Sequence, residues 1–208
     1  MKIAYVLYDD FTALDLIGPY EVISNWPGAE IHFLATHDGP VKTDQGLAML
    51  PTASPDTLRD PDVVVMPGSG KPFGPLENEA LLQWVRDVEP GATWMASACT
   101  GALVYAKAGV STGRRATTHW AMREFLRTLD VEPVADRVVV DGKFISGAGV
   151  SAGIDMALSL TAEVHGQEIA EAIQLGIEYD PQPPFDAGSA EKASDAVKQR
   201  ALEVLLSA

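Results

Sequence analysis

A chain of 208 residues can fill one α/β core but is short for two catalytic domains. Apolar residues make up 47% and charged residues 21%, the balance of a folded globular domain rather than a disordered segment. Its 15 Lys and Arg face 29 Asp and Glu, and the net charge of -14 argues against nucleic acid or an anionic membrane surface as partner.

Lys2–Tyr8 reads as a first strand and not a secretory leader, because its apolar run meets Asp9-Asp10 with no small-residue cleavage site. A helix over Asp15–Asn25, entered through Leu14-Asp15-Leu16, carries Pro19 in its first turns, where a missing N–H does least harm. Ile31–Ala35, Val41–Lys42 and Leu47–Leu50 are short strand candidates, separated by turns at Gly39-Pro40 and Asp44–Gly46, that predict a small excursion. Asp62–Met66 is a continuous apolar strand stopping at Pro67-Gly68-Ser69-Gly70, a loop whose glycines let backbone approach a ligand. After a helix over Glu77–Val88, the buried strand Thr93–Ala96 leads into Ser97-Ala98-Cys99-Thr100-Gly101. A helix over Ala102–Ala108, ended by Gly109, follows. Next come a strand over Arg115–Thr118, a helix over Trp120–Leu129, and a hairpin of Arg137–Val140 and Lys143–Ser146 turning on Asp141-Gly142. Helices are predicted over Ser151–His165, Gln167–Leu175 and Ala190–Ser207, with a proline-rich loop at Tyr179–Ser189. Strands alternating with helices predict parallel βαβ units covered on both faces. No repeat or linker divides the chain, so one domain over residues 1–208 is expected, and no apolar run approaches the ~20 residues that cross a bilayer.

Cys99 is the only cysteine, which rules out an intrachain disulfide, disfavours a cysteine-built metal site and fits a reducing cytoplasm. A nucleophile on a sharp turn between strand and helix stands clear of the backbone with helix N–H groups beneath it. Those groups are expected to lower the thiol pKa. A small buried hydrophobe after an apolar strand shows the same local pattern, and the residues alone leave both readings open.

Three blocks occur together and in order: Ser97-Ala98-Cys99-Thr100-Gly101, Arg115-Ala116-Thr117-Thr118-His119-Trp120 and Gly149-Val150-Ser151-Ala152-Gly153-Ile154-Asp155. With Leu14-Asp15-Leu16-Ile17-Gly18-Pro19 near the start and Glu178-Tyr179 through Pro183-Pro184-Phe185 near the end, the chain resembles the isocyanide hydratase branch of the DJ-1/PfpI superfamily. The likeness extends over almost the whole length. It implies a flavodoxin-like, class I glutamine amidotransferase-like α/β sandwich with a mostly parallel central sheet and helices on both faces. It also implies a homodimer, no cofactor, and hydration of an organic isocyanide to an N-substituted formamide. By the same resemblance Cys99 is the nucleophile, Asp15 the acidic residue beside it, and Thr100 the threonine after it. Gly68, Ser69 and Gly70 match the backbone-donor loop facing the sulfur, and Val150 lies near the cysteine helix. Ser69 stands where a second glycine is expected, which implies a narrower pocket, and Val150 where a larger β-branched residue is familiar, which implies a different substrate shape or helix mobility. The chemistry supports the pairing independently. Attack of Cys99 on an isocyanide carbon leaves a carbanion that must gain a proton, and a carboxyl kept neutral by apolar surroundings can supply it.

Thr100 occupies the position where PfpI-type peptidases and glyoxalase-like members carry histidine, which disfavours a Cys-His hydrolase. Asp15 has a helix N-cap as its alternative role. His119, beside Trp120, reads as a packing or capping residue ahead of a catalytic one, and Asp155 reads as structural. His32, His37 and His165 show no metal-ligand spacing, and Trp26, Trp84, Trp94 and Trp120 read as core or interface residues. Two other functions stay open. One is a ligand-binding module like the sensor half of AraC-type regulators, although one helix after Ser189 is too little for a DNA-binding domain. The other is a redox sensor in which Cys99 oxidises to a sulfinate.

Overall fold

The computed structural model describes residues 1–207. In chain order its first half comprises β1 (Lys2–Val6), α1 (Ala13–Ile23), β2 (Glu30–Leu34), β3 (Val41–Lys42), β4 (Ala48–Met49), β5 (Val63–Met66), α2 (Glu79–Val88), β6 (Trp94–Ala98) and α3 (Gly101–Ala108). The second half comprises β7 (Arg115–Ala116), α4 (Arg123–Arg127), β8 (Glu132–Pro133), β9 (Val138–Asp141), β10 (Phe144–Gly147), α5 (Ala152–His165), α6 (Gln167–Gly176) and α7 (Asp195–Ser207). Six strands lie side by side in the order β2-β1-β5-β6-β10-β9, all parallel except β9, which pairs antiparallel with β10. This is the expected flavodoxin-like α/β sandwich.

The central strands are mostly apolar because the sheet is covered on both faces and neither sees water. Every residue of β5, Val63-Val64-Val65-Met66, is buried. Helix α5 packs against both α1 and α6, and α2 packs on α3. Large side chains inside this core keep their polar tips bonded. The Tyr105 hydroxyl donates to the Ala96 carbonyl at 2.9 Å, and the Trp26 indole N–H donates to Thr161 Oγ1 at 2.7 Å.

The β9–β10 hairpin turns at Gly142 as expected, and β3 with β4 makes the small two-stranded excursion. Other boundaries differ for local reasons. Helix α1 begins at Ala13, so Pro19 lies inside it and not in its first turn. Its ring packs there against Gly153 of α5, and the Tyr5 hydroxyl donates to its carbonyl at 3.2 Å. The predicted helix over Trp120–Leu129 splits into a 3-10 turn at Trp120–Met122 and the short α4, because the Met122 N–H bonds to the His119 carbonyl at 2.8 Å. The predicted strand Arg115–Thr118 keeps only β7, paired with the unpredicted β8. Thr117 and Thr118 turn away to Ser146 and Cys99. The last helix starts at Asp195 and not Ala190, since the Ser194 hydroxyl accepts the Val197 N–H there. Among the described residues no helix is long and apolar enough to cross a membrane.

Gly101 opens α3 against the end of β5. A Cβ there would collide with the Met66 carbonyl and come within 2.8 Å of the Pro67 carbonyl, both of them backbone. Gly101→Ala is expected to lose at least about 3 kcal/mol in urea denaturation, the upper end for overpacking a tight site. Gly74→Ala, where nothing lies within 4 Å of the added carbon, should stay within about 1 kcal/mol of wild type.

Candidate active site

Strand β6 ends at Ala98 and α3 begins at Gly101, which leaves Cys99 and Thr100 to make the turn. Cys99 adopts φ +54°, a left-handed conformation that non-glycine residues rarely take. It is held there from both sides. Its N–H donates to the carbonyls of Gly147 at 3.1 Å and Ala148 at 2.7 Å, and its own carbonyl accepts the Thr118 hydroxyl at 2.8 Å. A strained residue persists only when its surroundings over-determine it, as these three bonds do. The sulfur accepts the N–H groups of Val150 and Thr100, and the thiol is hydrogen-bonded to the Asp15 carboxyl.

Asp15 projects from the first turn of α1 and is completely buried. Thr12, and not Asp15, is the N-cap residue of α1. The Asp15 Oδ2 accepts the Gly68 N–H at 3.1 Å, and its Oδ1 has no hydrogen-bond partner among the described residues. Burial raises the carboxyl from its ordinary 3.8 to about 7, against the hydrogen bonds from Cys99 and Gly68 that favour the anion, and the nearby Asp44 charge pushes it further up. The expected low thiol pKa is not found. Burial pushes the Cys99 thiol well up and the Asp15 charge adds to this, outweighing the N–H groups of Val150 and Thr100 that pull it down.

Gly68 makes the close approach possible. A Cβ on it would lie 2.5 Å from the Thr100 nitrogen and 2.8 Å from both Asp15 Oδ2 and Cys99 Cβ. The loop is tied on both flanks: the Thr12 N–H donates to the Gly68 carbonyl at 2.9 Å, and the Ser69 N–H donates to Thr100 Oγ1 at 2.8 Å. The donors of this loop therefore serve the Asp15 and Thr100 side chains. The hydroxyl of Ser69 donates to the Asp10 carbonyl at 2.6 Å and accepts the Lys71 N–H at 2.9 Å, so it braces the loop. Gly70 is exposed, beside Asp44.

Cys99, Asp15, Thr100, Gly68 and Val150 thus meet in one place, with Ser69 joined through Thr100 and Gly70 at the edge. His119 is half-buried against Trp120 and Gly149, with burial lowering its pKa. Asp155 faces Arg137. The Thr118 hydroxyl and the carbonyls of Gly147 and Ala148 were missed from sequence. Thr118 lies in the Arg115–Trp120 block, but its bond to the Cys99 carbonyl carries no local signature. Thr12, which donates its hydroxyl to Asp44 at 2.5 Å while its carbonyl accepts the Asp15 N–H, was missed for the same reason. Among the described residues no cluster of three or more His, Cys, Asp or Glu could hold a metal ion.

The profile of the DJ-1/PfpI family matches residues 1–163. The chain is 42% identical over 202 residues to an isonitrile hydratase of Pseudomonas putida, covering 97% of this chain and 88% of that protein. A crystal structure of a THiJ/PfpI family protein from Pseudomonas syringae superposes with a TM-score of 0.94 at 37% identity, over 99% of this chain and 86% of that one. The chain is also 32% identical, over 67% of its length, to the HTH-type transcriptional regulator CdhR of Pseudomonas aeruginosa, of which it spans 42%.

The Asp15 pKa has a stability consequence. The folded protein keeps a proton on Asp15 up to about pH 7, whereas the unfolded chain releases it near 3.8. Folding is therefore favoured by this group in acid, and the advantage falls by about 1.4 kcal/mol per pH unit as pH rises from 4 to 7. Asp15→Asn removes the titration. Urea denaturation across this range is expected to show the variant gaining on wild type as pH rises; parallel pH curves would contradict the raised pKa.

Proposed function

The chain belongs to the DJ-1/PfpI family, and from that premise we propose that it hydrates organic isocyanides to N-substituted formamides, with Cys99 as nucleophile and Asp15 as proton carrier. One observation carries the reading: a fully buried carboxyl, raised to about 7, hydrogen-bonded to a thiol on a strained strand-to-helix turn. Its likeness to an isonitrile hydratase supports an enzyme of that activity.

The thiol proton passes to Asp15 as the sulfur bonds to the terminal isocyanide carbon, and Asp15 delivers it to that carbon. The product is a thioimidate, Cys99–S–CH=N–R. Asp15, again a carboxylate, takes a proton from water as the water oxygen bonds to the same carbon, and gives it to nitrogen. The carbon–sulfur bond then breaks with its electron pair going to sulfur, and the hydroxyl proton returns to the thiol through Asp15. One water is added, one formamide leaves, and nothing is oxidised or reduced. The Thr100 and Val150 N–H groups stabilise negative charge on sulfur whenever it develops. The unpartnered Asp15 Oδ1 is the oxygen available to the reacting atoms. The same reading includes a homodimer and a reducing cytoplasm, supported by the resemblance and by a lone unpaired cysteine.

The likeness to CdhR supports a second reading, a ligand-binding module that turns nothing over. A redox sensor is less well supported, because peroxide reacts with thiolate and burial keeps this thiol protonated.

Wild-type protein given an aryl or alkyl isocyanide is expected to produce formamide over many turnovers. Cys99→Ala should fall to the uncatalysed background, and Asp15→Asn should lose about 10²- to 10⁴-fold in kcat/KM. Since protonated Asp15 cannot accept the thiol proton, kcat/KM should fall as pH drops below about 7. No turnover by folded, reduced wild type would favour the binding module.

A further inference from the structure

Two sequence blocks end in residues that neither the nucleophile nor the acid uses: Asp155, closing the Gly149–Asp155 block, and Tyr179, in the Glu178-Tyr179 block. The fold joins them. Arg137 Nε and Nη2 both donate to Asp155 Oδ2, at 2.9 and 2.6 Å, and the Tyr179 hydroxyl donates to the same oxygen at 3.0 Å. Three donors from either side of α5 therefore converge on one carboxylate oxygen in its first turn.

Arg137 also grips the loop between β10 and α5 at two points. Its carbonyl accepts the Ala148 N–H at 2.9 Å, and its Nη2 reaches the Ser151 hydroxyl at 3.3 Å. Between those grips lies Val150, whose N–H donates to the Cys99 sulfur, and Ala148 itself holds the Cys99 N–H at 2.7 Å. The Arg137 and Asp155 side chains are 48% and 30% exposed, and ion pairs this open add little to global stability. A hydrogen bond to sulfur, by contrast, weakens steeply with misalignment, so a loop that carries one gains from being fixed.

We propose that Arg137, Asp155 and Tyr179 are positioning residues that lock residues 148–151, so that the Val150 N–H stays on the Cys99 sulfur as the thiolate forms. This rests on Cys99 being the reacting atom, as in the function proposed above, but not on an isocyanide being its substrate. The other titratable groups around the sulfur are Asp15 from α1 and Tyr8 two residues beyond β1, with His119 behind Gly149. None of them touches the Arg137 cluster by any bond described above.

Ultraviolet thiolate absorbance, titrated with pH and corrected with a Cys99→Ala blank, tests this in wild type, Arg137→Gln, Asp155→Ala and Tyr179→Phe. Long-range charge alone would move the first two variants in opposite directions, since one loses a cation and the other an anion. Positioning moves both the same way. Each should show about 3- to 10-fold less thiolate than wild type at a given pH, and Tyr179→Phe a smaller loss in the same direction. Curves that shift oppositely, or that coincide with wild type in folded variants, overturn the proposal. If Arg137→Gln does not fold, Tyr179→Phe, which deletes one hydroxyl and no charge, decides alone. Absence of isocyanide turnover by wild type would sink the hydratase reading and leave the thiolate comparison intact.

Discussion

The hydrogen bond between Cys99 and Asp15 is the contact on which the neighbouring backbone depends. A thiol and a carboxyl taken together out of water cannot both carry charge at tolerable cost, so they hold a proton between them. Each adjoining segment then has one task. The Gly68 N–H fixes one carboxyl oxygen, the Thr100 and Val150 N–H groups address the sulfur, and Thr12 ties the start of α1 to the Gly68 loop. Glycine at position 68 follows from this crowding, because the loop must pass within van der Waals contact of both the Asp15 and the Cys99 side chains.

Such a site is a local cost to folding. It contains a left-handed non-glycine residue, a buried acid and a buried polar oxygen without a partner. The cost is carried by a sheet whose middle strands are largely apolar and buried, and by core side chains such as Tyr105 and Trp26 whose polar tips are bonded. Rigidity around the cysteine is thus borrowed from β5, β6 and β10, and the turn itself contributes none.

The architecture was readable because its signals are local. Continuous apolar runs marked β1, β5 and β6, the Asp141-Gly142 pair marked the hairpin, and Gly109 marked the end of α3. Cys99 and Asp15 were readable through their motifs. What escaped is what tertiary contact decides. The residues around Cys99 predicted a lowered thiol pKa, since the helix N–H groups are visible in sequence while complete burial and the approach of Asp15 are not. Asp155 read as a structural residue, yet its partners Arg137 and Tyr179 lie in segments that only the folded α5 brings together. The break at Trp120–Met122 was hidden because hydrophobic spacing alone does not distinguish a 3-10 turn from the first turn of an α-helix.

Strand β10 sits beside β6 in space but about a quarter of the chain away in sequence, and it is the carbonyls at its end that hold the Cys99 N–H. Long-range pairings of this kind form late, because loop-closure entropy must be overcome before they return any contact energy. The turn at Cys99 can therefore close only after residues 147 and 148 have been synthesised and docked. Until then Cys99 has neither the carbonyls that hold its N–H nor the burial that raises its thiol pKa. Its distinctive chemistry belongs to the completed sheet and arrives all at once with the last parallel strand.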